Sequence, residues 1–425
     1  MSAVRTYRAR LLVVLTSLAL LLLLLAPAAA TAGLKQKITA ALARQGMGGS
    51  GTSVAVYDIT AKRSLYLLRP DVLRLPASNE KLVTSSAALA GWTSTYRFST
   101  QFFIAAPGPD EDGVVRGDVY LRGLGDPTLS TASFQSRHYG MRTSNVHDFV
   151  ARLRTLGVTR VTGRVVADDG YFDRSRTVAT WRPSMTAYCG PLSALTLNEG
   201  FRPGGGYVKD PSLWAASTLT KQLRAAGIRV AHAPARGIVP NTATLAYTER
   251  SAPLSRILAA MNKPSDNYLA EQLLKGLGAG FGDGGTTVAG ADVAKRYLQG
   301  IGLTGGFRIR DGSGLSYRDK LTARAVLRIL GAMAKRTDFP VFWRSLAVAG
   351  VDGTLQHRMR GTSAAGKVHA KTGTLNAASS LSGYVTAANR HTLSFSILMN
   401  GRAVPVTRAH AAQDAIAVIL ARSRP

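Results

Sequence analysis

The sequence predicts an α/β protein of the α+β kind. An antiparallel sheet flanked by helices is expected, split along the chain by an inserted β-rich domain. Three observations carry this. A strand–turn–strand pattern, Thr52–Thr60 and Ser64–Leu68, lies near the start. A second, Ser379–Thr386 and Thr392–Met399, lies near the end and turns at Asn389-Arg390. Between about Phe98 and Leu245 short apolar runs alternate with Gly/Pro/Asp turns, a texture typical of short strands. One hairpin is too small to stand alone, so the two terminal hairpins are expected to share a sheet.

The elements follow in order. Gly33–Arg44 places Leu34, Ile38 and Leu42 at helical spacing, and the Gly46–Gly51 cluster ends it. Pro76-Ala77-Ser78 opens a helix running to about Ala90. The insert carries strands at Gly117–Leu121 and Gly163–Asp168 and helices at Asn145–Leu156 and Leu213–Ala226. Helical spacing returns at Leu254–Met261, Asp266–Leu277, Gly290–Ile301 and Thr322–Ala334, and again at Val406–Ala421. The expected divisions are a leader at 1–32, a first part of the sheet domain at 33–97, the insert at 98–248 and a second part at 249–425.

The leader reading rests on Arg5, Arg8 and Arg10, then an uncharged run from Leu11 to Ala32 that contains Leu21–Leu25 and is broken by Pro27. Small residues at Ala28-Ala29-Ala30 and Ala30-Thr31-Ala32 offer cleavage sites. This is the pattern of a secretory signal; uncleaved, it would serve as a tether. Either way the working chain is expected outside the cytoplasmic membrane.

The chain has 425 residues with 46% hydrophobic content, enough for a large core, and a formal net charge of +29. For an exported chain that charge points to anionic wall polymers or to a scattered, solvated surface rather than to nucleic acid. A single cysteine, Cys189, excludes an internal disulfide framework. The seven histidines form no His-Glu-x-x-His, and Asp168-Asp169 reads as a turn. No cofactor and no metal are expected.

Ser78-Asn79-Glu80-Lys81 puts a serine and a lysine on one face of a helix's first turn. A neutral lysine there could activate the serine; a capping serine followed by a surface lysine is the plain alternative. Ser265-Asp266-Asn267 heads another helix, where such residues also cap. Lys371-Thr372-Gly373-Thr374 lies in the strand-like stretch Lys367–Leu375. Ordinary edge protection would explain it. Alternatively, Gly373 lets a substrate backbone approach while Lys371, Thr372 and Thr374 hold a carboxylate.

Taken together and in this order, Ser-x-x-Lys, Ser-x-Asn and Lys-Thr-Gly resemble the penicillin-binding protein and serine β-lactamase superfamily. Further stretches narrow the likeness: Gly125-Asp126-Pro127-Thr128-Leu129, Ser265–Glu271, Asp311-Gly312-Ser313-Gly314-Leu315-Ser316, Gly350–Leu355 and His369–Leu375. With them the sequence resembles the D-alanyl-D-alanine carboxypeptidase/endopeptidase family, the class C, penicillin-binding protein 4-like enzymes. The resemblance implies a penicilloyl-serine-transferase domain with an insertion between the first two motifs. It implies substrates ending in D-Ala-D-Ala and covalent inhibition by β-lactams.

By position it implies Ser78 as nucleophile, Lys81 as its base and Ser265 as a proton relay to the leaving amine. Asn267 would orient the substrate, Lys371 tune the relay, and Thr372 and Thr374 bind the carboxylate. The N–H groups of Ser78 and Thr374 would form the oxyanion hole. The insert is shorter than in members with two inserted domains, so one is expected. Tyr317 stands where the family often has an arginine, and Arg318 follows it. A β-lactamase would need a deacylating base, yet there is no Glu-x-x-Leu-Asn and the second motif is not Tyr-x-Asn. A non-catalytic wall-binding protein would have no use for the intact motifs.

Overall fold

The computed structural model describes residues 33–425; the leader reading falls outside them. Helix α1 (33–44) leads into strands β1 (Thr52–Asp58) and β2 (Arg63–Leu68), then helix α2 (Glu80–Gly91). Next come β3 (Ser99–Ile104), β4 (Val119–Gly123), α3 (Val146–Thr155), β5 (Val165–Asp168), α4 (Pro211–Ala225), β6 (Ala235–Arg236) and β7 (Thr244–Arg250). Helices α5 (Leu254–Asn262), α6 (Asn267–Phe281), α7 (Thr287–Gly300) and α8 (Ala323–Ala334) follow. The chain closes with β8 (Ala347–Val348), β9 (Val368–Leu375), β10 (Ala378–Thr386), β11 (Thr392–Asn400) and α9 (Val406–Arg422).

The two terminal hairpins do share a sheet, in the order β8-β9-β10-β11-β1-β2. β1 runs antiparallel to β11, from Thr52 opposite Met399 to Asp58 opposite Leu393. The central strands β1, β10 and β11 are buried on both faces, unlike a half-solvated sheet. Val54, Val56, Phe395 and Ile397 pack under α1 and α9, whereas Ala55 and Leu398 meet Ala323 of α8. α9 supplies its face from Ala409, Ala412, Ile416, Ala417 and Leu420, an i, i+3, i+7, i+8, i+11 stripe. Truncating Ile416 to Ala should cost about 2–5 kcal/mol.

Strands between Ser99 and Arg250 form a second sheet, β7-β3-β4-β5-β6. It is mixed. β3 is antiparallel to β4 and β7, but β4–β5 and β5–β6 are parallel. The β4–α3–β5 crossover supplies the helix that parallel strands require. Val146, Phe149, Val150 and Leu153 of α3 and Ala215, Leu219 and Leu223 of α4 cover this sheet. The insert is thus a layered α/β unit, with helices where Asn145–Leu156 and Leu213–Ala226 were expected.

α2 is buried along most of its length, from Glu80 to Leu89. It packs with α5, α6 and α8 through Leu82, Leu258, Leu273 and Ile329. Phe98, Val178, Trp181, Cys189 and Leu192 belong to the same core, so part of the 98–248 segment packs into the helical layer around the site. No helix among the described residues is long and apolar enough to cross a membrane.

Candidate active site

Three segments meet at the start of α2. The chain arrives through a 3-10 turn over Ala77–Asn79, which leads directly into α2. Ala77 takes φ 47°, a left-handed conformation costing a non-glycine residue about 1–3 kcal/mol. The turn is held from both sides. Asn79 Nδ2 donates to the Lys371 carbonyl at 2.9 Å, and Ser380 Oγ donates to the Pro76 carbonyl at 2.7 Å.

Gly373 lies against this turn. A Cβ there would stand 2.8 Å from Ser78 N and 2.9 Å from the Pro76 oxygen. The sequence reading assigned that missing side chain to an approaching substrate. The structure assigns it to the Ser78 turn, because β9 crosses too close for any side chain. The outer edge of β9 past Ala370 nonetheless carries no strand among the described residues, since β8 pairs only with His369 and Ala370.

Lys81 is fully buried and its Nζ lies 3.1 Å from Ser78 Oγ. The same nitrogen donates to Asn267 Oδ1 at 2.7 Å and to the Ser313 carbonyl at 2.8 Å. Burial lowers its pKa to about 8, against the opposing pull of Asp311, Asp266 and Glu271. A lysine so tuned is available as a free amine near neutral pH.

Asn267 opens α6 because Asp266 caps that helix, accepting from Leu269 N at 2.8 Å. Its Nδ2 donates to the Tyr188 carbonyl at 2.9 Å, so one amide bridges Lys81 and the insert. Ser265 takes φ 69°. It is not bonded directly to Lys81, whose three hydrogen bonds go elsewhere. Lys371 is buried and donates to the Thr372 carbonyl at 3.0 Å. Burial, then the Lys81 charge, hold its pKa well below the usual lysine range. Thr372 Oγ1 donates to Thr354 Oγ1 at 2.7 Å, and Thr374 is exposed.

Other participants escaped the sequence reading. Ser313 belongs to the Asp311–Ser316 loop, which was noted for its likeness alone. Asp311 accepts from Gly314 N at 2.6 Å, Ser316 N at 2.7 Å and Trp181 Nε1 at 2.7 Å. Glu271 accepts from Gly312 N at 3.0 Å and Ser313 N at 2.8 Å. Glu80, Glu271, Asp311 and Asp319 are all fully buried beneath the site. Burial, then Asp311 and Glu271, push the Glu80 carboxyl well up; burial and Asp311 push Glu271 to about 8. Burial beneath the site thus favours the protonated form of Glu80 and Glu271.

The insert reaches the site as well. Besides Tyr188 and Trp181, Arg182 lies over the Tyr317 ring with its guanidinium carbon 3.6 Å from the centroid. Tyr317 packs with Leu75, Ala77 and Leu375 at the mouth. Cys189 is buried, which raises its thiol pKa. Asp168 and Asp169 are engaged by Val239 N, Gly170 N, Arg176 and Ser193. One group among the described residues could hold a metal ion, and it lies beside the second motif: His138, Glu199 and Asp266.

Residues 34–204 and 202–423 match the D-Ala-D-Ala carboxypeptidase 3 (S13) family. The chain belongs to this family. It is 32% identical over 470 residues to a D-alanyl-D-alanine carboxypeptidase from an Actinomadura strain, covering 91% of this chain and 84% of that one. Penicillin binding protein 4 from Haemophilus influenzae superposes with a TM-score of 0.73 at 21% identity, over 91% of this chain and 97% of that chain. A predatory endopeptidase from Bdellovibrio bacteriovorus gives a TM-score of 0.54 at 20% identity, over 82% of this chain and 86% of that chain. The S13 chain is thus a penicillin-binding protein 4-like D-Ala-D-Ala carboxypeptidase, a peptidase of the hydrolase class.

Proposed function

We propose that the chain is exported and trims peptidoglycan stem peptides through an acyl-enzyme on Ser78. The observation that carries this is Lys81 Nζ standing 3.1 Å from Ser78 Oγ and 2.7 Å from Asn267 Oδ1. As a free amine Lys81 takes the Ser78 proton while Oγ forms a bond to the penultimate D-Ala carbonyl carbon. The resulting oxyanion is received by the N–H groups of Ser78 and Thr374, each donor worth about 2.7–4 kcal/mol. The C–N bond then breaks, Ser265 passes a proton to the leaving D-Ala amine, and water hydrolyses the ester. Thr372 and Thr374 hold the terminal carboxylate, Lys371 supplies a nearby buried amine, Asn267 orients the substrate, and the open edge of β9 beside Gly373 pairs with its backbone.

A β-lactam would acylate Ser78 likewise, but its leaving amine stays tethered and blocks water. The Haemophilus relative has been solved complexed with a β-lactam, which favours this reading. Endopeptidase action on cross-links uses the same bond chemistry with a longer leaving group. The two sheets favour domains at 33–97 plus 249–425 and at 98–248.

A fluorescent penicillin should label the protein one to one, Ser78→Ala should abolish labelling, and D-Ala should appear from a peptide ending D-Ala-D-Ala. Labelling that survives Ser78→Ala ends the proposal. The basic surface is assigned to anionic wall polymers; binding to isolated walls should then fall steeply with salt, and salt-insensitive binding removes that assignment.

A further inference from the structure

Three metal-ligating side chains from distant parts of the chain converge beside the second motif. His138 lies in the turn Gln135–Tyr139, Glu199 in the turn Asn198–Gly200, and Asp266 at the N-cap of α6. His138 Nε2 stands 3.1 Å from Glu199 Oε1 and 3.4 Å from Asp266 Oδ2. We propose that these three side chains bind a divalent transition metal of the zinc class, clasping the insert to the Ser265-Asp266-Asn267 segment.

The donor set is one imidazole nitrogen and two carboxylate oxygens, all good zinc ligands. Tetrahedral zinc with bonds of about 2.0–2.1 Å needs donors roughly 3.3–3.4 Å apart; the two His138 spacings are 3.1 and 3.4 Å, and all three donor atoms lie within 4.8 Å of one another. Glu199 is only 4% exposed, and among the described residues only its Oε1 is engaged, by His138 and by the Tyr139 hydroxyl at 2.8 Å. A carboxylate placed this deep favours a cationic partner.

The ligands are also held in place from behind, as metal ligands usually are. Tyr139 fixes Glu199, and the Phe134 ring stacks on the imidazole at 4.6 Å. Leu269 N occupies Asp266 Oδ1 and leaves Oδ2 facing the site. The His138 side chain is 35% exposed, giving the ion a path in and room for water as a fourth ligand.

The test uses the full protein without a polyhistidine tag, stripped with a chelator, loaded with zinc sulfate and desalted. Atomic emission should find about one zinc per chain, and His138→Ala and Glu199→Gln should each weaken binding at least about tenfold. No zinc retained by the unaltered protein overturns the proposal; full zinc retained by both variants does too. Titrating the unaltered protein with Co²⁺ guards against misfolded variants. Intense four-coordinate absorption displaced by zinc is expected, and a pale six-coordinate spectrum overturns the site. Zinc binding needs no reactive serine, so its failure and the failure of the Ser78 proposal are told apart.

Discussion

Asn79 and Lys371, 292 positions apart, are joined by a buried hydrogen bond of 2.9 Å from the side-chain amide to the strand carbonyl. This bond fixes the serine turn to the sheet edge where the substrate is proposed to lie. Asn79→Ala would remove this buried hydrogen bond, at a cost of about 0.5–1.5 kcal/mol. A lower melting temperature and slower penicillin acylation are expected together. Unchanged values for both would show that the turn is held by other contacts.

If Lys81 is the base proposed above, it sets the pH dependence of acylation. Its pKa of about 8 leaves the free amine in the minority below that value. The second-order rate with penicillin should climb roughly tenfold per pH unit below about 8 and level off above. Lys81→Arg keeps a positive charge at every accessible pH. It should lose at least about 10²-fold in rate without recovering at alkaline pH.

Glu80 offers a stability test with a definite sign. Its carboxyl is held well above the ordinary 4.5 by burial, Asp311 and Glu271, and neither oxygen has a hydrogen-bond partner. From about 4.5 upward the unfolded chain sheds this proton while the folded chain keeps it, so the group lowers stability as pH rises. Glu80→Gln removes that penalty. Denaturant melts should show the variant gaining on the parent protein between pH 4.5 and 7; a difference that does not change with pH would contradict it.

Arg182 lies exposed over Tyr317 at the mouth, where an acidic group on the acyl side of a substrate could meet it. Arg182→Ala should raise KM for a peptide bearing such a group and leave kcat near its original value. Stability should fall by only about 0.5–1 kcal/mol, the worth of an exposed cation–π contact. Equal KM values for acidic and neutral peptides would remove Arg182 from recognition.

The terminal hairpins were legible because neither could bury its faces alone, and Ser78 with Lys81 because i and i+3 share a helix face. The parallel pairing of β4 and β5 was not, since short strands with a helix between them carry little register information. That Gly373 also admits the Ser78 turn was not legible: an absent side chain does not announce which group comes close. The acids under the site come from three separate segments, and only folding joins Glu80 and Glu271 to Asp311 and Asp319. The carbonyl of Tyr188 holds Asn267 without any side-chain chemistry, so no pattern of residue types could have pointed to it.

That last contact bears on how modular the enzyme is. Because Asn267 is braced by a peptide group from the middle of the insertion, the accessory unit supports the candidate site directly. A miniaturised version joined across residues 97 and 249 would keep every motif and still lose the brace on its second one. Grafting a foreign insertion would succeed only if it returned a carbonyl to the same place.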